Sequence, residues 1–112
     1  MRSRSKIPSS GYVAFVLHSH LPYVVNHGTW PHGLDWLHEA AAETYLPLLR
    51  VLASLEKAGV QLKASINLSP ILLEQLAHPT FKEGFAGYLE QKIEAAKRDA
   101  GEFIRKGDRH FL

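Results

Sequence analysis

Only two stretches of this chain read as β-strands, and a helical seam separates them; that order limits the fold more than any other feature. Tyr12-Val13-Ala14-Phe15-Val16-Leu17 is an unbroken apolar run of β-forming residues. Such runs belong to strands covered on both faces, as in parallel sheets. Val60, Leu62, Ala64, Ile66 and Leu68 alternate with Gln61, Lys63, Ser65 and Asn67, a period of two that predicts a second strand. Between them a long loop runs from Ser19 to about Gly33 and contains Pro22, Gly28 and Pro31. Leu34, Leu37, Ala41, Tyr45, Leu48, Leu52 and Leu55 then recur at steps of three and four, an amphipathic helix. Pro47 removes one backbone donor inside that seam, so a kink or two abutting helices is expected there. Gly59 stands where a left-handed C-terminal residue belongs.

Beyond the second strand, Ser69-Pro70 predicts an N-cap and a proline in the first turn of a short helix reaching about His78. Thr80 and Glu83 have capping-box spacing. Phe81, Phe85, Tyr88, Leu89, Ile93, Ala96 and Phe103 give a last helix its apolar side, and Gly107-Asp108 reads as a stop, with Arg109 to Leu112 opening a further helix. The order β, long loop, α, β, α, α implies parallel pairing through right-handed crossovers. Two parallel strands cannot manage both faces and both edges alone, and a closed βα barrel takes about 200 residues or more. With 112 residues, the chain is expected to be the opening of a larger α/β fold. Residues 1–10 are expected to be a disordered, solvated tail, and residues 11–112 the N-terminal part of that larger fold.

Composition narrows the function classes. At 46% hydrophobic and 21% charged residues the chain is globular rather than disordered. It has no cysteine, hence neither a disulfide framework nor a thiolate zinc site, which fits a cytoplasmic location. A formal charge of +2 is too small to argue for nucleic acid or an anionic membrane. The longest apolar run stops at His18 after six residues, against roughly 20 for a spanning helix. No Gly-rich phosphate loop and no Gly-x-Ser-x-Gly elbow is present.

The chemistry is concentrated where the first strand ends. His18 and His20 lie two apart on extended backbone and so project to one side, and the C-terminal ends of parallel strands carry the active sites of βα folds. Five of the seven histidines (His18, His20, His27, His32, His38) fall within about the first third of the chain. The pair suits metal ligation, as in metal-dependent hydrolases, or recognition of a sugar by histidine donors; a strand cap beside a solvated ring is the plainer alternative. Trp30, Trp36, Tyr23 and Tyr45 cluster around the loop, and aromatic faces suit stacking on sugar rings. Core packing is the better account of Trp36 and Tyr45, whereas Trp30, in a Pro/Gly-rich loop, is the better exposed platform. Asn67 and Ser69 end the second strand and could face the same site, although helix capping accounts for Ser69 sufficiently. Asp35, Glu39 and Glu43 share one helix stripe and read as a solvated face.

Taken together, Phe15-Val16-Leu17-His18-Ser19-His20-Leu21-Pro22-Tyr23, Trp30-Pro31-His32-Gly33 and Trp36-Leu37-His38-Glu39-Ala40 resemble the N-terminus of glycoside hydrolase family 57. Glu43-Thr44-Tyr45-Leu46-Pro47-Leu48-Leu49 and Leu68-Ser69-Pro70-Ile71-Leu72-Leu73-Glu74-Gln75-Leu76 continue the resemblance in order, from about Tyr12 to the end. Within the family, His-x-His-Leu-Pro-Tyr with this Trp-Pro-x-Gly loop is similar to the 1,4-α-glucan branching enzymes; its amylases and 4-α-glucanotransferases more often carry His-Gln-Pro. His32 and Leu34 depart from the pattern, where an aromatic and an acidic residue are more usual, and affect loop packing more than chemistry.

The resemblance implies an incomplete (β/α)7 barrel and retaining transglycosylation, which cuts an α-1,4-glucan and rejoins it as an α-1,6 branch in glycogen biosynthesis. The Glu nucleophile and Asp acid/base of the family lie downstream of position 112, so no catalytic residue is expected in this chain and the chain alone is expected to be inactive. The implied substrate-binding residues are His18, His20, Trp30, Tyr23 and Asn67, with no cofactor and no metal. The partner is an α-glucan, and the open sheet edges predict self-association. Rival readings are an α-amylase or 4-α-glucanotransferase of the same family, a metal-dependent hydrolase using His18 and His20, and a non-catalytic glucan-binding remnant.

Overall fold

The computed structural model describes residues 11–108 and His110. The tail expected over residues 1–10 lies outside the described residues, and so does most of the helix start expected from Arg109 to Leu112. Strand β1, Phe15–Ser19, pairs in parallel with β2, Ala64–Leu68, with Phe15 opposite Ala64 and His18 opposite Asn67. Both strands are shorter at their starts than the sequence pattern predicts, since neither Tyr12–Ala14 nor Val60–Lys63 is paired. Helix α1 spans Leu34–Ala40 and helix α2 Leu46–Lys57, joined by a π-helical turn over Ala41–Tyr45 in which Leu46 N–H reaches back to Ala41 C=O. The expected interruption at Pro47 takes this form: the ring cannot supply the usual i→i−4 donor, and the turn ahead of it widens to i→i−5.

Helix α2 ends in a Schellman pair. Gly59, at φ +72°, donates to Glu56 C=O at 2.9 Å, and Val60 donates to Leu55 C=O at 2.9 Å. Helix α3, Pro70–Ala77, starts as predicted, with Ser69 Oγ accepting from Leu72 N–H at 3.3 Å. Helix α4 runs over Pro79–Lys106. Its N-cap is His78, whose Nδ1 accepts from Thr80 N–H at 3.3 Å, so the expected Thr80–Glu83 capping box does not form. Pro79 decides this, because a proline at the first helical position moves the cap one residue upstream of it.

The sheet is not where the core lies. Phe15 is 66% and Val16 68% exposed, and no residue of α2 is fully buried. Leu48, Leu52 and Leu55 of α2 face Phe15, Leu17 and Ile66 across an apolar groove that stays open. Full cover of the first strand on both faces, expected from its composition, is therefore not met within the described residues. The core instead joins Leu21, Val24 and Val25 of the loop after β1 to Leu37 and Ala41, Leu72 of α3 and Phe81 of α4. Each fully buried leucine there, Leu37 and Leu72, contributes about 2 kcal/mol by removal from water.

A loop enters a core only if its peptide groups find partners. Gln75, completely buried on α3, supplies them: Oε1 accepts from Val24 N–H at 2.7 Å, and Nε2 donates to Pro22 C=O at 3.1 Å and Leu21 C=O at 3.4 Å. Nearby, His38 is buried among the rings of Phe81, Phe85 and Tyr88 at 5.1–5.7 Å and donates through Nε2 to Phe81 C=O at 3.3 Å. Gly84 makes this close approach possible, since a Cβ there would stand 3.2 Å from His38 Cε1.

Two outcomes follow from this packing. Gln75→Ala leaves a buried donor and buried carbonyls unpaired and is expected to lower stability by about 3 kcal/mol in urea denaturation; Gln75→Glu, which sets an acceptor against two carbonyls, should be no better. Tyr88 has its pKa raised above 10.0, first by burial and then by Glu39, Glu43 and Asp35. A raised tyrosine pKa contributes stability that is complete below the unfolded value and lost as pH rises towards the folded one. Stability measured by denaturation should accordingly fall above about pH 10, and Tyr88→Phe should flatten that fall.

Candidate glucan-binding site

The C-terminal ends of the two strands gather four of the residues singled out in the sequence. Side chains of Phe15, Leu17 and Ile66 face α2, so by strand alternation His18 and Asn67 stand on the opposite face. His18 and Asn67 are register partners. His20, one residue past the strand, stacks parallel to His18 with ring centroids 6.3 Å apart and planes 16° from parallel. The shared projection expected of a His-x-His is thus present, with both rings exposed.

Ser69 ties the two strand ends together. Its N–H donates to Ser19 C=O at 3.0 Å, which continues the ladder one step past β2. Its Oγ lies 3.0 Å from His20 Nδ1 while also capping α3. Capping alone therefore does not account for Ser69, and sequence reasoning missed its bond to His20. The signal was available: with the strands parallel, Asn67-Leu68-Ser69 runs beside His18-Ser19-His20.

The aromatic residues are distributed more widely. Trp30 is 75% exposed, as expected of a platform. Tyr23 is half-exposed, accepts a hydrogen bond on its hydroxyl from Asn26 Nδ2 at 3.2 Å and meets the edge of His27. Among the described residues no hydrogen bond or ring contact links Trp30 or Tyr23 to the imidazole pair. Trp36 is 38% exposed beside His32, with ring centroids 5.6 Å apart, so the core role expected for it is not met. Tyr45 does pack against the core, and burial raises its pKa.

Gly33 shapes the Trp30 loop. The first peptide N–H groups of α1 are capped by backbone: Leu34 donates to Gly28 C=O at 2.9 Å and Asp35 to Thr29 C=O at 3.1 Å. The chain folds back so tightly that a Cβ at Gly33 would run into the Gly28 carbonyl. Asp35, Glu39 and Glu43 lie on the α1 side, where they act on Tyr88, and no carboxylate hydrogen-bonds to the histidine pair among the described residues. Nor, among the described residues, do three His, Cys, Asp or Glu side chains converge there as a metal ligand set. Two imidazoles and an amide, each able to donate and accept, suit a polyhydroxyl ligand.

Residues 14–106 match the sequence pattern of glycosyl hydrolase family 57. Over 104 residues the chain is 42% identical to the 1,4-alpha-glucan branching enzyme of Thermococcus kodakarensis, covering 91% of this chain and 15% of that protein. The crystal structure of a GH57-type branching enzyme from the archaeon Pyrococcus horikoshii superposes with a TM-score of 0.79 at 46% identity, over 83% of this chain and 17% of that one. The structure of the Thermococcus enzyme, in complex with glucose and additives, does so with a TM-score of 0.77 at 44% identity, over 82% and 17%. The chain therefore spans about one-sixth of the length of these relatives. Its strand register, helix order and motifs make it an α/β segment that belongs to glycosyl hydrolase family 57.

Proposed function

We propose that this chain forms part of the donor-side sugar pocket of a 1,4-α-glucan branching enzyme. The observation that carries the reading is the parallel pair His18–His20 at the C-terminal strand end, opposite Asn67, in a chain 42% identical to such an enzyme. In this reading β1 and β2 belong to an incomplete (β/α)7 barrel. Helix α2 covers its outside, and the face with His18 and Asn67 looks into it. Trp30 and Tyr23, both on the loop after β1, border the glucan groove and stack on glucose rings.

Branching is a retaining double displacement, and such chemistry needs two carboxyl groups roughly 5–5.5 Å apart. The Glu nucleophile and the Asp acid/base come from polypeptide outside these 112 residues, and His18 and His20 hold the glucose unit that is cut. The α-1,4 bond breaks as the glucan segment passes to the nucleophile and the leaving 4-oxygen is protonated; a 6-hydroxyl then takes the segment as an α-1,6 branch and returns the proton, during glycogen synthesis in the cytoplasm. The open, apolar strands fit self-association of the chain on its own. An α-amylase or 4-α-glucanotransferase is the less favoured reading, since the His-Ser-His-Leu-Pro-Tyr motif is the branching type. A metal-dependent hydrolase using His18 and His20 as ligands is less favoured because the chain is 42% identical to a branching enzyme.

The purified 112-residue chain is expected to leave the iodine colour of amylose unchanged. A colour change that His18→Ala abolishes would show that the chain carries its own catalytic group and overturn this assignment. Retention of the chain on an amylose column should weaken roughly fivefold in Trp30→Ala, the scale of one aromatic stacking contact. Equal retention of the variant would remove Trp30 from the groove.

A further inference from the structure

Ser69 makes more use of its hydroxyl than a cap requires. A hydroxyl has one proton and two lone pairs. One lone pair of Ser69 Oγ takes Leu72 N–H at 3.3 Å, and His20 Nδ1 lies 3.0 Å away on the other side. The backbone that carries this oxygen is fastened at Ser69 N–H to Ser19 C=O at 3.0 Å, one peptide ahead of His20. Two proton arrangements are open. If Nδ1–H donated to Oγ, the serine proton would be left without a partner among the described residues, and the exposed Nε2 would be a bare acceptor. If Oγ–H donates to Nδ1, proton and lone pair are both used, and Nε2 carries the ring's proton outward.

We propose that Ser69 is a positioning residue that acts through His20: by donating to Nδ1 it fixes the ring and its tautomer, so that Nε2–H is presented to the ligand as a donor. The proposal deepens the glucan-site reading and rests on it for the identity of the ligand, a sugar oxygen that accepts from Nε2. The same serine starts α3, which carries Gln75, so the helix that anchors the loop after β1 also sets the polarity of the ring at the start of that loop.

The test is the tautomer of His20 in the 15N-labelled 112-residue chain, read from long-range imidazole proton–nitrogen correlations at mildly alkaline pH, where imidazole is neutral. The native chain and Ser69→Thr are expected to show the proton on Nε2. Ser69→Asp keeps an equally good N-cap but offers only acceptors, so it should invert the pattern and place the proton on Nδ1. Ser69→Gly, which costs the cap only a few tenths of a kcal/mol, should give a mixture. A native His20 protonated on Nδ1, or an unchanged pattern in Ser69→Asp with helical circular dichroism retained, overturns the proposal. Amylose retention is a separate readout: its absence with the tautomer as stated would remove the glucan reading and leave the Ser69–His20 coupling standing.

Discussion

The amide of Gln75 holds this structure together at the place where it matters for function. Directly after His20 the chain turns inward, and Leu21, Val24 and Val25 enter the core. Burying that backbone without partners would cost about as much as the three side chains return. One side chain removes the difficulty by accepting from Val24 and donating to Leu21 and Pro22. Its position on α3 is set in turn by Ser69 and Pro70, which start the helix at the end of β2. The strand ends, the loop and the helix thus form one closed set of constraints around the exposed imidazoles. A change at Gln75 would reach His20 through only a few residues.

Much of this was legible from residue pattern alone. Both strands, the Pro47 interruption, the Gly59 turn and the Ser69 cap follow from local rules that act within a few residues, and the parallel sense follows from the β-α-β order. The projection of His18 and His20 to one side also follows, because strand alternation is a property of the backbone. What escaped was non-local. Leu21-Pro22-Tyr23-Val24-Val25 is apolar, but it lies in a long loop with no periodicity, and what lets its backbone enter the core is Gln75, some fifty residues away. His38 was hidden for a similar reason. A histidine on a helix reads as polar, and only the approach of Phe81, Phe85 and Tyr88 past Gly84 makes it a core residue. Trp36 erred in the other direction, being read as core from a helical seam that leaves it at the surface.

The open strand faces concern the architecture rather than the site. Apolar residues on both sides of a two-stranded sheet cannot stay in water cheaply: with Phe15 and Val16 each about two-thirds exposed, transfer of such side chains from water is worth about 1.5 kcal/mol or more apiece. The composition of β1 is that of a strand with neighbours, whereas the helical layer of α1, α3 and the first half of α4 already has a closed core of its own. Two levels of completion therefore coexist in the chain. The helices and the loop are satisfied locally, and the sheet is composed for burial that these residues do not provide.

That division separates two kinds of motif residue. Leu21, Gly33, Leu37, His38, Leu72 and Gln75 are all buried, and each has a packing or hydrogen-bonding reason to be what it is. His18, His20, Tyr23 and Trp30 lie in the same motif segments but are exposed, and nothing in the fold requires a histidine or a tryptophan at those positions. An exposed Trp30 costs apolar surface in water, and an exposed imidazole pair contributes nothing to the core. His18 and His20 share one strand end, set there by the strand register and by Ser69, whereas Tyr23 and Trp30 are carried by the loop that follows. In the proposed reading their ring faces, donors and acceptors hold a sugar, and the carboxylates that break its bond come from elsewhere in the enzyme.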